Sequence, residues 1–228
     1  MKKFFTLLAG LLFCYLVLLA KPELYFSKSL AYKCFTLRAH GALPPSTEAS
    51  LDAAYEKIAA SELFKETDSF EVIVPASRWE FLLFTPLMSG TYSRMNPFHG
   101  AIFLASADFA KGDARAEPGG RDFRKLSSEI AGAAARDQAR RRFQTLTYLF
   151  REDWEIRGYS ARVAGLTTDF SPADACTAAS SPDLEDFKYG LMLETALKVE
   201  QITFSELLDR KMSYEKAEQL LKQAHCGG

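Results

Sequence analysis

The sequence predicts an α+β fold: a small sheet packed against several helices, preceded by one N-terminal transmembrane helix. Three observations predict it. Short apolar runs bounded by turn residues fall in the first half of the chain. Helical spacing of apolar residues dominates the second half, so strands come early and helices late. An uncharged run, Phe4 to Ala20, stands ahead of both.

That run (FFTLLAGLLFCYLVLLA) follows Lys2 and Lys3 and has no polar face to suit a core helix. At helical rise it covers roughly 25 Å, against about 30 Å of hydrocarbon. A cleaved signal peptide and an uncleaved signal anchor compete here. Ahead of Lys21 the −3 and −1 positions hold Leu18 and Ala20, and only the second is small, which favours the anchor. The expected division is a signal anchor over residues 1–21 and one extracytoplasmic domain over 22–228. The lysines favour an N-inside, single-pass topology, with the domain periplasmic if the source is bacterial.

Beyond the anchor, Ala31 to Arg38 alternates as a strand, closed near Gly41 and Pro44-Pro45. Ser46 and Thr47 offer caps for a helix whose apolar side is Leu51, Ala54, Tyr55, Ile58 and Leu63. Phe70 to Val74 forms a short buried strand ended by Pro75, and Ser77 to Leu83 forms a helix before Pro86. Ala101 to Ala105 is too short for a free helix and is assigned as a strand. Lys111 to Arg121 is a loop turning on Pro118-Gly119-Gly120. An alanine-rich helix spans about Asp122 to Phe143, and another spans Trp154 to Ala164. Ser171 to Asp183 is a surface loop or lid, followed by helices near Leu184–Val199, Thr203–Leu208 and Ser213–Ala224.

The 228 residues carry 28 Lys+Arg and 29 Asp+Glu, a net charge of −1. This lacks the basic field of a non-specific nucleic-acid binder, so no nucleic-acid partner is expected. Cys34, Cys176 and Cys226 allow one disulfide and an odd thiol, with the pairing open, and no CxxC pair supports a cysteine zinc site. His40, His99 and His225 form no HxH or HxxxH pair. Gly158-Tyr159-Ser160-Ala161-Arg162 begins as a GxSxG elbow, but Arg162 replaces the second glycine. Arg136, Arg140, Arg141 and Arg142 form either a solvated helix end or a site for an acidic partner or lipid headgroups.

From Ala101 the chain runs AIFLASAD, a loop, RDFRKLSSEIAGAAARDQARRRF, and then DWEIRGYSARVAG. This resembles a small membrane-anchored branch of the gluzincin-type zincin metallopeptidases, and does so weakly over most of residues 31–228. The resemblance implies an edge strand, a zinc helix carrying HExxH, and a second helix carrying a ligand Glu in a W-x-x-E-G-[YF]-A-like stretch. On this pattern HExxH falls on Ser128-Glu129-Ile130-Ala131-Gly132, and the third ligand falls on Arg157. Ser128 and Gly132 replace the two histidines, Arg157 replaces the glutamate, and only Glu129 survives as the catalytic-base residue. Catalytic zinc needs three protein ligands and an open position, so no metal and no cofactor are expected.

The resemblance implies a membrane-anchored, non-catalytic pseudopeptidase of the envelope that binds a peptide or protein partner, with Ile102, Phe103 and Leu104 as the peptide-binding edge. Arg157 would take the charge of the lost metal in a direct ion pair with Glu129. The rival expectations are a hydrolase with a metal-free or carboxylate-based site, using Glu129 as general base with Asp108, Asp137 or Asp153, and a structural envelope protein with no cleft.

Overall fold

A computed structural model describes residues 2–86, 88, 90–118, 120–144, 147–148, 153–165, 170–177 and 181–227. The fold is α+β. Among the described residues there are eight α-helices and two sheets, where a single small sheet was expected.

The first sheet contains β1 (Lys28–Tyr32), β2 (Phe35–Ala39), β3 (Phe70–Val74), β4 (Ser93–Met95) and β5 (Ile102–Leu104), in the order β1-β2-β3-β5-β4. The strand expected at Ala31–Arg38 is in fact a hairpin. Lys33 turns it with φ 50°, and Tyr32 pairs with Phe35. β2, β3 and β5 run parallel, while β1 and β4 are antiparallel to their neighbours. The parallel step from β2 to β3 crosses through α2 (Ser46–Ala59), which starts after Pro45 with no side-chain cap from Ser46 or Thr47. The step from β3 to β5 passes through α3 (Arg78–Phe84), capped by Ser77 accepting from the Glu80 amide.

Side-chain alternation puts an apolar layer on both faces of this sheet. Phe35, Leu37, Phe70, Val72, Ile102 and Leu104 point into the main core. Ile73 and Phe103 point the other way, into a second cluster with Phe26, Phe81 and Phe84. The second sheet is β6 (Ala107–Asp108), β7 (Asp113–Arg115) and β8 (Phe123–Lys125), all antiparallel. Two of its strands arise where the sequence reading had only loop and helix. The long helix accordingly starts later, as α4 (Leu126–Arg141). Gly119 of the expected turn lies outside the described residues.

The remaining helices are α5 (Asp153–Ala164), α6 (Pro182–Glu200), α7 (Phe204–Arg210) and α8 (Tyr214–His225). Ser181, Thr203 and Ser213 cap the last three by accepting from backbone amides. A disulfide joins Cys176 to Cys226 and leaves Cys34 half-buried as a free thiol.

The transmembrane helix is overturned. Helix α1 (Lys2–Ala20) carries the apolar run, yet among the described residues no helix is long and apolar enough to cross a membrane. Its final turns belong to the globular part. Leu18 and Leu19 pack against the second core cluster, Tyr15 donates its hydroxyl to the Leu83 carbonyl at 2.7 Å, and the Leu19 carbonyl lies 3.2 Å from His99. A run already short of the hydrocarbon thickness loses more length by this docking. The single-pass, N-inside topology with an extracytoplasmic domain falls with it.

Candidate functional site

Helices α4 and α5 pack closely against each other. Among the alternatives at Gly132, even a Cβ would lie 2.9 Å from Ser160 Oγ and 3.3 Å from Ala164 Cβ. Ser160 donates its hydroxyl to the Gly132 carbonyl at 2.9 Å, so this serine of the GxSxG-like stretch ties two helices together. Gly158 has the same role one helix further on, where a Cβ would meet the Tyr189 carbonyl of α6 at 2.5 Å.

This packing brings together all four positions that the gluzincin resemblance singles out. Ser128, Glu129, Gly132 and Arg157 line one small cavity of about 20 Å³. Beside it opens a cleft of about 370 Å³, walled by β4 and the segment before it and floored by Glu129 and three arginines: Arg124, Arg136 and Arg157.

Glu129 is 6% exposed. A buried carboxylate is costly unless paired and hydrogen-bonded. Ser93 donates its hydroxyl to Glu129 Oε1 at 2.5 Å, Arg124 lies 3.4 Å from Oε2, and Arg136 lies 3.7 Å from Oε1. The direct Glu129–Arg157 pair expected from the sequence is absent among the described ion pairs. Arg157 turns to α6 instead, 2.7 Å from both Asp186 and Glu185, with Asp153 at 3.7 Å, and its guanidinium stacks on Tyr189. The reason is reach and competition. The first turns of α6 present acids to Arg157, and β8 delivers Arg124 to Glu129 from the other side.

Arg124 links the two networks. It donates to Asp183 and Asp186 as well as to Glu129, and its guanidinium lies over the Tyr92 ring. Burial opposes its charge, but Glu129, Asp183 and Asp186 outweigh that and hold its pKa above the ordinary arginine value. Burial opposes the charge of Arg157 too, and Asp186 and Glu185 raise its pKa on balance.

The residues present do not fit a catalytic zinc. Gly132 has no side chain, Ser128 is neutral, and Arg157 is a cation held by acids. Among the described residues no group of three His, Cys, Asp or Glu side chains is placed to hold a metal ion. The histidines lie elsewhere. His40 lies between the Tyr25 and Phe26 rings near Glu80, His99 contacts Leu19, and His225 contacts Thr195.

Other expected residues are redistributed. Ile102, Phe103 and Leu104 do not form an edge, because β5 lies between β3 and β4 and is buried throughout. The edge is β4. The amide of Asn96 donates to Ala101 and the Ala105 amide donates to Tyr92, so even-numbered residues pair with β5. By antiparallel alternation the backbone groups of Ser93 and Met95 point away from β5, and both residues line the cleft. Ser93 is buried with its carbonyl against Gly90, so Met95 is the accessible outward position. Of the proposed carboxylate partners only Asp153 lines the cleft. Asp137 is buried against Arg140 and Arg141, and Asp108 accepts from the Lys111 amide. The basic cluster is likewise split: Arg136 faces the cleft, while Arg142 reaches Ser205 and Asp209 of α7.

Sequence reasoning missed Ser93, Arg124, Tyr148 and Asp186. The acid spacing Asp183, Glu185, Asp186 at the start of α6 was the available signal, since it places carboxylates on the first turns of one helix. No protein-family model, curated protein or solved structure matches this chain.

Proposed function

We propose that the protein is a non-catalytic, metallopeptidase-like binding protein whose cleft holds an extended segment of a peptide or protein. The observation that carries this reading is edge strand β4, which forms one wall of the cleft beside Glu129 and Arg157 and leaves Met95 as its accessible outward position. An extended peptide can pair with such an edge through its main chain and place alternate side chains in the cleft. This mode of binding needs no metal. The guanidinium groups of Arg124 and Arg136 supply the positive charge that Glu129 requires when no dication stands beside it.

The test is peptide binding by the full chain, compared with Met95→Pro. Proline is tolerated on an edge strand where its missing N–H faces outward, so the β4–β5 ladder should survive. A random peptide library on beads should be bound by the wild type and lost at least tenfold by Met95→Pro at an unchanged melting temperature. Binding indifferent to this substitution would remove the edge from the proposal.

A metal-free hydrolase is the second reading, and the Ser93–Glu129 hydrogen bond speaks for it. Against it, Ser93 is 1% exposed and Glu129 is already engaged by Ser93 and two arginines. Peptide-library cleavage abolished by Glu129→Gln would overturn the binding reading.

A further inference from the structure

Three arginines line the cleft, and they are not equivalent. Arg124 is met by Asp183, Asp186 and Glu129, and Arg157 by Asp186, Glu185 and Asp153. Arg136 has less. Its Nη2 donates to the Ser93 hydroxyl at 2.9 Å, and its nearest carboxylate oxygen is Glu129 Oε1 at 3.7 Å, beyond hydrogen-bond length. That same oxygen accepts from Ser93. The buried Nε of Arg136 has no acceptor among the described residues. A guanidinium carries five donors in a planar fork and is ordinarily matched to a carboxylate or phosphate.

Tyr148 lines the same cleft, and its phenol feels the Arg136 charge. Burial pushes its pKa up to about 12, so it remains a neutral O–H donor across the physiological range. One under-matched guanidinium and one phenol donor therefore face a common space.

The rest of the cleft sets the ligand's charge. Asp153, Glu185 and Asp186 line it too, and the side chain of Asp153 is 67% exposed. A phosphate dianion would meet like charge there, whereas a singly charged carboxylate on a longer chain meets less of it. An ammonium or basic side chain on the same ligand would find a partner in Asp153.

Taking the peptide-binding reading as its basis, we propose that Arg136 and Tyr148 hold a carboxylate of the bound peptide in the cleft. Its two sources are the peptide's C-terminus and an Asp or Glu side chain.

The experiment uses the full-length chain on a peptide array in four forms. Each sequence is presented with a free C-terminal acid or as the C-terminal amide, and with or without an internal Asp or Glu. The expected result is at least tenfold stronger binding wherever the carboxylate is present, reduced to no more than twofold by Arg136→Gln. Tyr148→Phe should reduce the preference about threefold. Arg136→Lys, which keeps the charge but loses the fork, should fall between wild type and Arg136→Gln, and it serves if the Gln variant melts early. A preference that follows the acid/amide arm assigns the C-terminus, and one that follows the internal residue assigns a side chain.

Equal binding of all four forms, still sensitive to Met95→Pro, would overturn the carboxylate assignment and leave the cleft reading standing. A carboxylate preference unchanged by Arg136→Gln would also overturn it. Failure of every form to bind would overturn both.

Discussion

Ser160 donates its hydroxyl to the carbonyl of Gly132 at 2.9 Å, at the point where helices α4 and α5 come closest to losing all room for a side chain. Gly132 is the position to which the proposed gluzincin resemblance assigns the second histidine. A side chain at this position would first have to displace the Ser160 hydroxyl and then pass the Ser160 carbonyl and Ala164 Cβ at 3.2 and 3.3 Å from its Cβ.

Gly132→Ala and Gly158→Ala separate this steric effect from helix propensity. Both gain about 1 kcal/mol of propensity. A Cβ at Gly158 meets a backbone carbonyl at 2.5 Å, whereas at Gly132 the nearest atom is a serine hydroxyl at 2.9 Å. Gly158→Ala should therefore cost about 2 kcal/mol net and Gly132→Ala no more than about 1 kcal/mol. Urea denaturation checks the order, and Ser160→Ala should shrink the Gly132→Ala penalty. Equal costs would mean that the clash with the Tyr189 carbonyl is relieved by a small helix shift.

Arg124 should matter more to stability than Arg157, although only Arg157 occupies a motif position. Removing Arg124 strips the buried Glu129 of one of its two cations, frees Asp183 and leaves Asp186 to Arg157 alone. Arg124→Ala should cost about 3–5 kcal/mol. Arg157→Ala should cost on the order of 2 kcal/mol, because Asp153 and Glu185 reach solvent. Melting temperatures in the reverse order would point to a direct role of Arg157 at Glu129.

Acid should weaken the docking of α8 on α6. Hydrogen bonds from Lys188 and then Lys222 hold the Glu218 carboxyl down at about 2. A depressed carboxyl pKa stabilises the fold above its unfolded value, and that stability is lost as pH falls through the folded value. The loss should therefore run from about pH 5 to about pH 2. Solvent screening limits it to about 1 kcal/mol. Glu218→Gln should flatten this limb of the stability profile, and an unchanged acid slope would exclude Glu218 as its source.

Reduction should destabilise the C-terminal end. The Cys176–Cys226 bond closes 50 residues of chain, for which loop entropy gives up to about 4 kcal/mol. Cys176→Ser/Cys226→Ser should lower the melting temperature in step with dithiothreitol treatment of the wild type. Burial pushes the Cys34 thiol up to about 11, so its labelling by a thiol reagent in the native state should be slow. Rapid native labelling at Cys34 would contradict its half-buried packing against the main core from the β1–β2 turn.

Much of the chain's local structure is legible in sequence because it depends on period and caps. FEVIV is a strand, Ser77 starts a helix, and two of the later helices begin at Thr203 and Ser213. The helix expected from Leu184 starts two residues earlier, at Pro182 after the Ser181 cap. What misleads is local ambiguity. Ala31–Arg38 alternates through a hairpin whose turn depends on one residue, Lys33, at positive φ. Lys111–Arg121 looks like loop because β7 has three residues and gains its order only between β6 and β8.

The sequence by itself determined the identities present at the site: Ser128, Glu129, Gly132 and Arg157, with the three histidines far from them in sequence. It also determined most helices, since their apolar spacing repeats within a few residues. Tertiary structure alone decided who meets whom. It gave Glu129 to Arg124 and Arg136, gave Arg157 to α6, made β4 the edge in place of β5, joined Cys176 to Cys226, and docked the end of α1 instead of leaving it free to span. The physical reason is range. Most of these contacts bring together distant parts of the chain or depend on which elements become neighbours, and periodicity within an element carries no record of the partner packed against it.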